Sequence, residues 1–409
     1  MKIAFIVPYV PNRIRTRSFN LISHLSKLGH EVVVCTLGSG GGDLKDAELL
    51  RSICKVVTYQ DLPVWKSVLN CAIALPSRAP LQSVYSWHRG FASRILELLR
   101  GGDATGFDLV HVEHLRGSRY GLYIKSKLPE LPIVWDSVDS ISHLFQQASR
   151  RSRNFFGRIM TWFELNRTRL AEGDLVAAFD RVLITSNADR DALLKLVRRE
   201  RTPAPISVLP NGVDLDYFRP NAEVQRKPET IVFSGKMSYH ANVATASYLV
   251  NEIMPILWEK RPNAQLTIVG KDPRQEIKAF ANHPLITVTG TVEDIRPYLW
   301  GATVAAVPLV YGAGIQNKIL EAMACGTPVV TTSAAISSLS VTPEQDILLG
   351  DTPGNFASKI LQVMDNPNHH HEISIAGSSY VRHFHDWTNI SRRLIGLYKQ
   401  AISASKPKV

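Results

Sequence analysis

The stretch ATVAAVPLVYGAGIQNKILEAMACGTPVVTT, residues 302–332, decides the fold of this chain. It begins with a short apolar run and passes through a turn that contains two glycines. It continues with apolar residues at helical spacing and ends in a second run rich in valine and threonine. A strand, a helix and another strand in this order predict two parallel strands joined by a crossover helix. We therefore expect an α/β fold in which helices cover a parallel sheet.

The same alternation of strand-like and helical patterns occurs twice along the chain. One series of apolar runs comprises KIAFIV, HEVVVCT, DLVHVE, PIVWD and RVLITS, and a second comprises TIVFSG, AQLTIVG, LITVTG, ATVAAVPL and TPVVTT. The segment between them, residues 209–229, is rich in proline, asparagine and aspartate, which favour turns. We predict two doubly wound Rossmann-like domains, residues 1–205 and 206–385. We expect them to face each other across a cleft and to bind ligands at the carboxyl ends of their strands.

The composition is that of a globular protein, with 45% hydrophobic and 20% charged residues among 409. The four cysteines show no CxxC spacing, which argues against a structural metal site or a disulfide framework and favours a reduced, cytoplasmic chain. No apolar run reaches the roughly 18 residues that a membrane span needs. The opening MKIAFIVPYV is predicted to be a buried strand rather than a signal peptide.

The net charge of +11 is concentrated in the first half. Residues 1–205 contain 29 lysines and arginines against 19 acidic residues, whereas residues 206–409 contain 18 against 17. A basic half suits an anionic lipid surface, a phosphorylated substrate or nucleic acid, or it serves solubility alone. Aromatic and basic residues alternate over residues 150–169, which predicts either an interfacial membrane contact or a core-facing helix with a basic outer side.

Two features of the second half suggest an anion site. Gly312 and Gly314 free the turn of Cβ atoms, and the first N–H groups of the helix that follows lack internal partners. Lys318 lies near that helix start, and Lys236 follows Gly235 at the end of the run TIVFSG. We predict phosphate contacts for both lysines. The alternative is a connecting turn and two solvated side chains.

Three groups in the first half lie at predicted strand ends. Glu113 and His114, with Arg116 close behind, could provide a general base or bind a substrate hydroxyl, or they could be a helix cap and a half-buried histidine. Asp136 and Asp139 either line a substrate site or, in the case of Asp139, cap a helix.

Arginines occupy the first strand–helix turn. Arg15 and Arg17 lie there without a GxGxxG motif, which suggests that side chains rather than a backbone loop contact an anion. The missing motif argues against a nicotinamide or flavin enzyme.

Together, these motifs resemble a known family. LPNGVDLDYFRP, GKM, TIVG, TGTVEDIRPYLWGATVAAVPL and GIQNKILEAMACGTPVV resemble, in this order, the family-4 retaining glycosyltransferases of the GT-B fold. PYVPN, LGHEVVV, DLVHVE and ITSNADRDAL extend the resemblance more loosely over the N-terminal half. PYVP followed by RSF, the DSVDS segment and GIQNKILEAMA resemble a bacterial subgroup associated with exopolysaccharide synthesis.

The resemblance implies a nucleoside-diphosphate sugar as donor, with UDP or GDP expected, and neither cofactor nor metal. Glu321 matches the glutamate that binds the donor ribose. The other implied donor contacts are Gly235 and Lys236 at the phosphates, Thr291 and Val292 beside the base, and Gly314, Ile315 and Gln316 at the helix start. Glu113 and His114 fall near a family histidine at the acceptor and transferred sugar. Residues 386–409 would form a helix that returns to the first domain.

The sequence departs from the family pattern at three places. Ala313 occupies the position of a glutamate that touches the transferred sugar, and Gln316 or Asn317 are candidates to replace it. Ala241 lies where a second basic residue is expected, and Lys318 is a candidate for that charge. NRIRTR replaces a glycine-rich loop, which suits an acceptor that carries phosphate.

We therefore predict a metal-independent retaining glycosyltransferase. Lys236 and Lys318 would stabilise the leaving diphosphate, and Glu113 or His114 would hold the acceptor or sugar. The predicted acceptor is a glycan or lipid-linked saccharide, bound by Arg15, Arg17, Arg116, Asp136 and Asp139. We expect a cytoplasmic protein that contacts the inner face of an anionic membrane peripherally. The alternatives are a non-hydrolysing nucleotide-sugar epimerase and a non-catalytic scaffold; nucleic-acid binding is disfavoured because no known module is present.

Overall fold

A computed structural model describes residues 1–12, 16–101, 106–151, 155–311 and 316–405, without the side chains of residues 147–151 and 155–162. The chain divides into two compact units. Unit 1 comprises Met1–Pro210 and Trp387–Val409, and unit 2 comprises Asn211–Asp386. Each unit contains a parallel sheet with helices around it, so the predicted class of two Rossmann-like domains is confirmed.

Unit 1 is built on a seven-stranded sheet in the order β3-β2-β1-β4-β5-β6-β7. Its strands are β1 (Lys2–Val7), β2 (Glu31–Gly38), β3 (Val56–Asp61), β4 (Leu109–Glu113), β5 (Ile133–Val138), β6 (Arg181–Ile184) and β7 (Ile206–Val208). All neighbouring pairs are parallel. The strand order reverses between β1 and β4, and ligands of doubly wound sheets bind at the carboxyl ends of such strands.

Ten helices of unit 1 connect and cover this sheet. They are α1 (Thr16–Lys27), α2 (Gly41–Arg51), α3 (Val64–Ala74), α4 (Leu81–Tyr85), α5 (Arg89–Arg100), α6 (His114–Lys127), α7 (Ile141–Arg151), α8 (Phe155–Ala178), α9 (Asn187–Leu194) and α17 (Trp387–Ser405). Gly29 ends α1 with φ +81°, a conformation that glycine adopts without steric cost, and β2 follows directly.

The last helix, α17, packs in the core of unit 1. Its buried residues Trp387, Leu394 and Tyr398 belong to the same apolar cluster as Phe5 and Leu21. The Tyr398 Oη and His111 Nδ1 atoms are 2.7 Å apart, so a buried hydrogen bond also joins α17 to β4.

Unit 2 is built on a six-stranded parallel sheet in the order β10-β9-β8-β11-β12-β13. Its strands are β8 (Thr230–Ser234), β9 (Gln265–Val269), β10 (Ile286–Gly290), β11 (Val304–Val307), β12 (Val329–Thr331) and β13 (Leu348–Leu349). Its α-helices are α10 (His240–Tyr248), α11 (Met254–Lys260), α12 (Gln275–Ala279), α13 (Arg296–Gly301), α14 (Asn317–Ala324), α15 (Pro353–Asp365) and α16 (Pro367–Phe384). A π-helical turn spans Leu249–Ile253 and a 3₁₀ turn spans Phe280–Asn282.

The strand order of unit 2 reverses between β8 and β11, at the same place in the topology as in unit 1. The stretch at residues 302–332 supplies β11, α14 and β12, and β11 pairs in parallel with both β8 and β12. The strands are buried on both faces because helices cover both, which explains their unbroken apolar runs.

Candidate functional site

The carboxyl ends of β8 and β9 approach each other closely in unit 2. Gly235 and Gly270 have φ values of +152° and +150°, and a Cβ atom on Gly270 would lie 1.7 Å from the carbonyl oxygen of Gly235. Only glycine fits there, because the two backbones approach each other too closely for a side chain. Lys236 follows directly, with its side chain 56% exposed and its Nζ atom 3.9 Å from a carboxylate oxygen of Asp272.

Helix α14 carries two of the predicted donor residues on one side. Lys318 and Glu321 are separated by three positions and therefore lie next to each other on the helix surface. Burial lowers the pKa of Lys318 to about 8, although the Glu321 carboxyl opposes this shift. Burial raises the pKa of Glu321 to about 7, against the effect of Lys318. Both groups therefore change charge near neutral pH in the free protein.

Asn242 joins the two predicted phosphate-binding segments. Its Nδ2 atom donates a hydrogen bond of 3.0 Å to the Lys236 carbonyl oxygen, and its Oδ1 atom accepts one from Lys318 Nζ. The Lys318 ammonium also lies 5.4 Å from the centre of the Phe233 ring. Lys318 therefore brings its charge to the start of α10, beside Ala241, where the resemblance implied a basic residue. The sequence analysis did not identify Asn242.

The start of α14 provides polar groups for the same region. Gln316 is the N-cap residue, and its side chain makes no capping hydrogen bond to the helix. The Oδ1 atom of Asn317 is buried without a hydrogen-bond partner in the described part of the chain. Gly314 and Ile315, both predicted donor contacts, lie outside the described residues, as does Ala313.

An aromatic pair adjoins this region and was not predicted. The rings of His240 and Tyr311 are stacked with centroids 5.5 Å apart, and His240 Nδ1 is 2.9 Å from Tyr311 Oη. Tyr311 directly precedes the glycine turn, and His240 lies between Lys236 and Asn242 in the sequence. Their closeness in the sequence to Lys236 and to the glycine turn could have indicated both residues. A single histidine and a single tyrosine, however, do not show in the sequence that their side chains pair.

The two residues predicted beside the nucleobase follow β10. Gly290 ends that strand with φ +69°, and Thr291 after it is exposed. Val292 is half-buried and packs against the core of unit 2. Among the described residues, Thr291 therefore presents the freer side chain at this position.

Glu113 and His114 lie at the carboxyl end of β4, beside the strand-order reversal of unit 1. Glu113 is buried, and its Oε1 atom accepts a hydrogen bond of 2.6 Å from Tyr9 Oη. Burial, aided by the charge of Asp136, raises the pKa of Glu113 to about 7. Burial also lowers the pKa of His114 to about 4, and the charge of Arg116 acts in the same direction, so the ring is neutral at pH 7.

The backbone is strained at two neighbouring strand ends in unit 1. His114 after β4 has φ +63°, and Val138 at the end of β5 has φ +68°. For a β-branched residue this conformation is an outlier. Such conformations cost about 1–3 kcal/mol each and cluster at functional sites. The strain therefore marks this edge of the sheet as a candidate site.

Arg17 and Asp136, both predicted to bind an acceptor, contact each other in the free protein. Arg17 Nε and one terminal nitrogen lie 2.9 and 2.8 Å from Asp136 Oδ2, and neither side chain is more than 6% exposed. Arg17 also donates to the Pro210 carbonyl oxygen. In the free protein each charge is thus neutralised and shielded from solvent, and the acceptor contacts of the two residues stay a prediction. Arg15 lies outside the described residues.

Asp139 and Arg116 remain accessible to different degrees. Asp139 is half-buried and accepts a hydrogen bond from Thr185 Oγ1, and burial raises its pKa to about 6. The Arg116 guanidinium lies 5.0 Å from the centre of the Tyr85 ring, and its buried Nε atom has no acceptor in the described part of the chain. Arg116 is therefore the predicted acceptor residue with an unused buried donor.

The described residues contain neither a candidate metal cluster nor a membrane-spanning helix. In residues 1–12, 16–101, 106–151, 155–311 and 316–405, no group of three or more histidine, cysteine, aspartate or glutamate residues could hold a metal ion. Within the same ranges, no helix combines the length and apolar character required to cross a membrane.

Comparisons with known proteins identify the family of the chain. Residues 14–217 match the family model described as "Glycosyltransferase Family 4", and residues 228–366 match the one described as "Glycosyl transferases group 1". A phosphatidyl-myo-inositol mannosyltransferase of Mycobacterium leprae is 24% identical over 100% of both chains. An "Uncharacterized 44.6 kDa protein in cps region" of Klebsiella pneumoniae is 22% identical over 88% of this chain and 89% of the relative.

Solved structures show the same fold at low sequence identity. Sucrose-phosphate synthase of Thermosynechococcus elongatus matches with a TM-score of 0.66 and 19% identity over 99% of this chain and 100% of that chain. Anabaena Alr3699/HepE in complex with UDP and glucose matches with a TM-score of 0.68 and 14% identity over 98% of this chain and 100% of that chain.

Proposed function

The chain belongs to the family 4 and group 1 glycosyltransferases, and from this premise we propose that it moves a sugar from a nucleoside diphosphate to a saccharide acceptor with retention of configuration. The observation that carries the proposal is the junction in unit 2 where Asn242 links the Lys236 backbone to the Lys318 ammonium. There the backbone of Lys236, the ammonium of Lys318 and the start of α14 come together beside the strand-order reversal. Such a cluster suits a diphosphate.

Cleavage of the glycosidic bond leaves extra negative charge on the departing diphosphate. We assign its stabilisation to Lys236, Lys318 and the first N–H groups of α14, because fixed donors aimed at developing charge lower the barrier most effectively. Lys318 keeps its proton when the diphosphate replaces water around it. With this much positive charge provided by the chain, the proposed reaction needs no metal ion.

Glu321 lies one turn after Lys318 and is assigned to the donor ribose. An ionised carboxylate can accept hydrogen bonds from both ribose hydroxyls. Because the pKa values of Glu321 and Lys318 are about 7 and about 8, both groups are charged together mainly between these values. We expect the donor affinity of the free protein to be highest in this interval.

The transferred group is proposed to be a hexose, and the nucleotide UDP or GDP. The complex of Anabaena Alr3699/HepE with UDP and glucose makes UDP-glucose the first donor to test. The similarity to a phosphatidyl-myo-inositol mannosyltransferase supports a lipid-linked acceptor. On the resemblance of DSVDS and GIQNKILEAMA, we place the reaction in cell-surface or exopolysaccharide synthesis, in the cytoplasm and peripheral to the membrane. Glu113, His114 and Arg116 are assigned to the acceptor or sugar.

The test is a thermal-shift screen with UDP-, GDP-, ADP- and dTDP-sugars, followed by detection of the released nucleotide. The true donor raises the melting temperature in a concentration-dependent way. Lys318→Met should abolish the shift, whereas Lys278→Met, which removes an exposed lysine of α12, should leave it intact. No shift with any sugar nucleotide contradicts the proposal. Conversion of the donor to an epimer without acceptor would instead identify an epimerase.

A further inference from the structure

Helix α3 exposes the side that a surface helix normally buries. Its large apolar side chains Val64, Trp65, Val68, Leu69 and Ile73 are between 49% and 69% exposed. Its inward side consists of smaller or polar side chains, namely Ser67, Asn70, Cys71 and Ala74. An amphipathic helix of a globular protein has the opposite arrangement. A contiguous exposed apolar face of this kind marks an interaction site.

Specific hydrogen bonds fix α3 in this orientation. Asn70 Nδ2 donates to the Trp87 carbonyl oxygen at 2.8 Å, and Cys71 Sγ donates to the Leu81 carbonyl oxygen at 3.7 Å. The polar side of the helix is therefore the side that attaches it to unit 1, and rotation about the helix axis would break both bonds.

The loop after α3 is fastened to α8. Arg167 donates to the carbonyl oxygens of Leu75 and Ala79, and Glu164 accepts a hydrogen bond of 2.9 Å from the Leu81 backbone N–H. Both ends of the loop that follows the helix are thus held by charged side chains of one neighbouring helix.

A cavity of about 820 Å³ adjoins the helix, and Ile73 contributes to both. Its lining includes the apolar residues Val84, Leu122, Leu170 and Leu175. Among its described lining residues are also four arginines, Arg78, Arg119, Arg198 and Arg201, but one acidic residue, Asp174. Arg198 and Arg201 lie 3.5 and 3.4 Å from carboxylate oxygens of Asp174, so this lining keeps an excess of positive charge after that pairing. We refer to the four arginines as the basic rim of the apolar wall.

We propose that α3 and the rim of this cavity form a docking surface for an anionic lipid bilayer. Lys66 is the charged residue of α3 and Arg78 follows in the loop after the helix, so positive charge adjoins the apolar face. Trp65 lies next to Lys66, whose Nζ atom is 5.5 Å from the centre of its ring. Tryptophan and lysine side by side suit the boundary between acyl chains and headgroups.

Charge complementarity favours lipid over a second copy of this chain. A two-fold symmetric contact would place the same patch opposite itself, so that basic rim would meet basic rim. An anionic bilayer instead brings phosphate groups to the arginines and lysine while the apolar side chains enter the headgroup region. This surface deepens the peripheral membrane location given under the proposed function, and its test uses no sugar nucleotide, so it can fail while the donor assignment stands.

The test is cosedimentation of the full chain with vesicles, in the absence of any sugar nucleotide. We expect binding to vesicles that contain phosphatidylglycerol and little binding to pure phosphatidylcholine, with a decrease at high salt. Trp65→Ser/Ile73→Ser should weaken binding by at least about tenfold, because both side chains lose apolar burial in the interface. Ile375→Ser is the matched control, since it removes an isoleucine of unit 2 that is 53% exposed.

Arg78→Glu provides an independent variant, because it reverses a charge on the rim and leaves the apolar face intact. It should weaken binding to anionic vesicles only. The proposal is overturned if the double variant sediments like wild type with anionic vesicles. It is also overturned if wild-type protein forms a dimer that the double variant abolishes, because the face would then bind a second copy.

Discussion

The two sheets reverse their strand order at the same topological position, yet a charged side chain near that position is exposed in unit 2 and a charged pair near it is buried in unit 1. At the end of β8, Lys236 is 56% exposed. In unit 1, Arg17 on α1 and Asp136 on β5 neutralise each other out of contact with water, and Glu113 at the end of β4 is buried and hydrogen-bonded to Tyr9. Topology therefore specifies where a ligand can bind, and the pairing of side chains decides which charges are available for it.

This difference in charge exposure predicts that substitutions affect ligand binding in unit 2 and stability in unit 1. An exposed charge, such as that of Lys236 beside the equally exposed Asp272, remains available to a ligand. A buried pair is difficult to disturb because removal of one partner leaves the other desolvated. Substitutions in unit 2 should thus act on the donor, and substitutions of the pair in unit 1 on folding.

Asp136→Asn should have the largest effect on stability, a loss of about 3–5 kcal/mol in the free energy of unfolding, because it leaves the Arg17 guanidinium buried without a counter-charge. Urea unfolding measures this loss. Arg17→Met/Asp136→Leu should cost less than the single change, since no buried charge remains. If Asp136→Asn retains full stability but loses turnover, the pair contacts the acceptor and the contrast between the units is false.

Lys318→Met should lower turnover by about 10²–10³-fold, as removal of a donor to developing negative charge does in other enzymes. The melting temperature without ligand should fall little, because the apolar replacement removes a partly buried charge. Release of the nucleotide from the identified donor is the readout, with Lys278→Met as control. Equal losses in both variants would show that Lys318 has no special position.

Glu113→Gln should change how stability depends on pH. Because the pKa of Glu113 is raised from 4.5 to about 7 in the folded protein, the folded state holds a proton that the unfolded chain has lost between these values. Stability therefore falls as pH rises through this window, by roughly 3 kcal/mol from this group. Between pH 5 and pH 8, the free energy of unfolding of the variant, measured with urea, should therefore fall less than that of wild type. Glu130→Gln, at an exposed position, should follow wild type.

Asn242→Ala should have the smallest effect, about a tenfold weaker donor affinity, since one hydrogen bond that positions Lys318 is lost. Calorimetric titration with the donor measures it. Asn355→Ala, at an exposed position of α15, is the control. An unchanged affinity would show that Lys318 reaches the diphosphate without this support.

Most strands could be predicted because fully buried parallel strands require continuous apolar runs. The strand β3 was missed because it lies at the sheet edge, is partly exposed and contains polar residues such as Gln60 and Asp61. The three-residue strand β7 and the two-residue strand β13 are too short to leave a pattern. In the candidate site, Gly235 and Lys236 were predicted from local turn chemistry, while Asn242 was not, because its partners are set by the fold.

By itself, the sequence determined the parallel α/β architecture and the positive charge that Lys236 and Lys318 carry, because these follow from local periodicity and residue type. Tertiary structure decided which charges remain available. Arg17 meets Asp136 across 119 positions, and Lys318 meets Asn242 across 76. Tertiary structure also decided that the apolar face of α3 is exposed. Periodicity predicts an amphipathic helix, but only packing shows which side faces water.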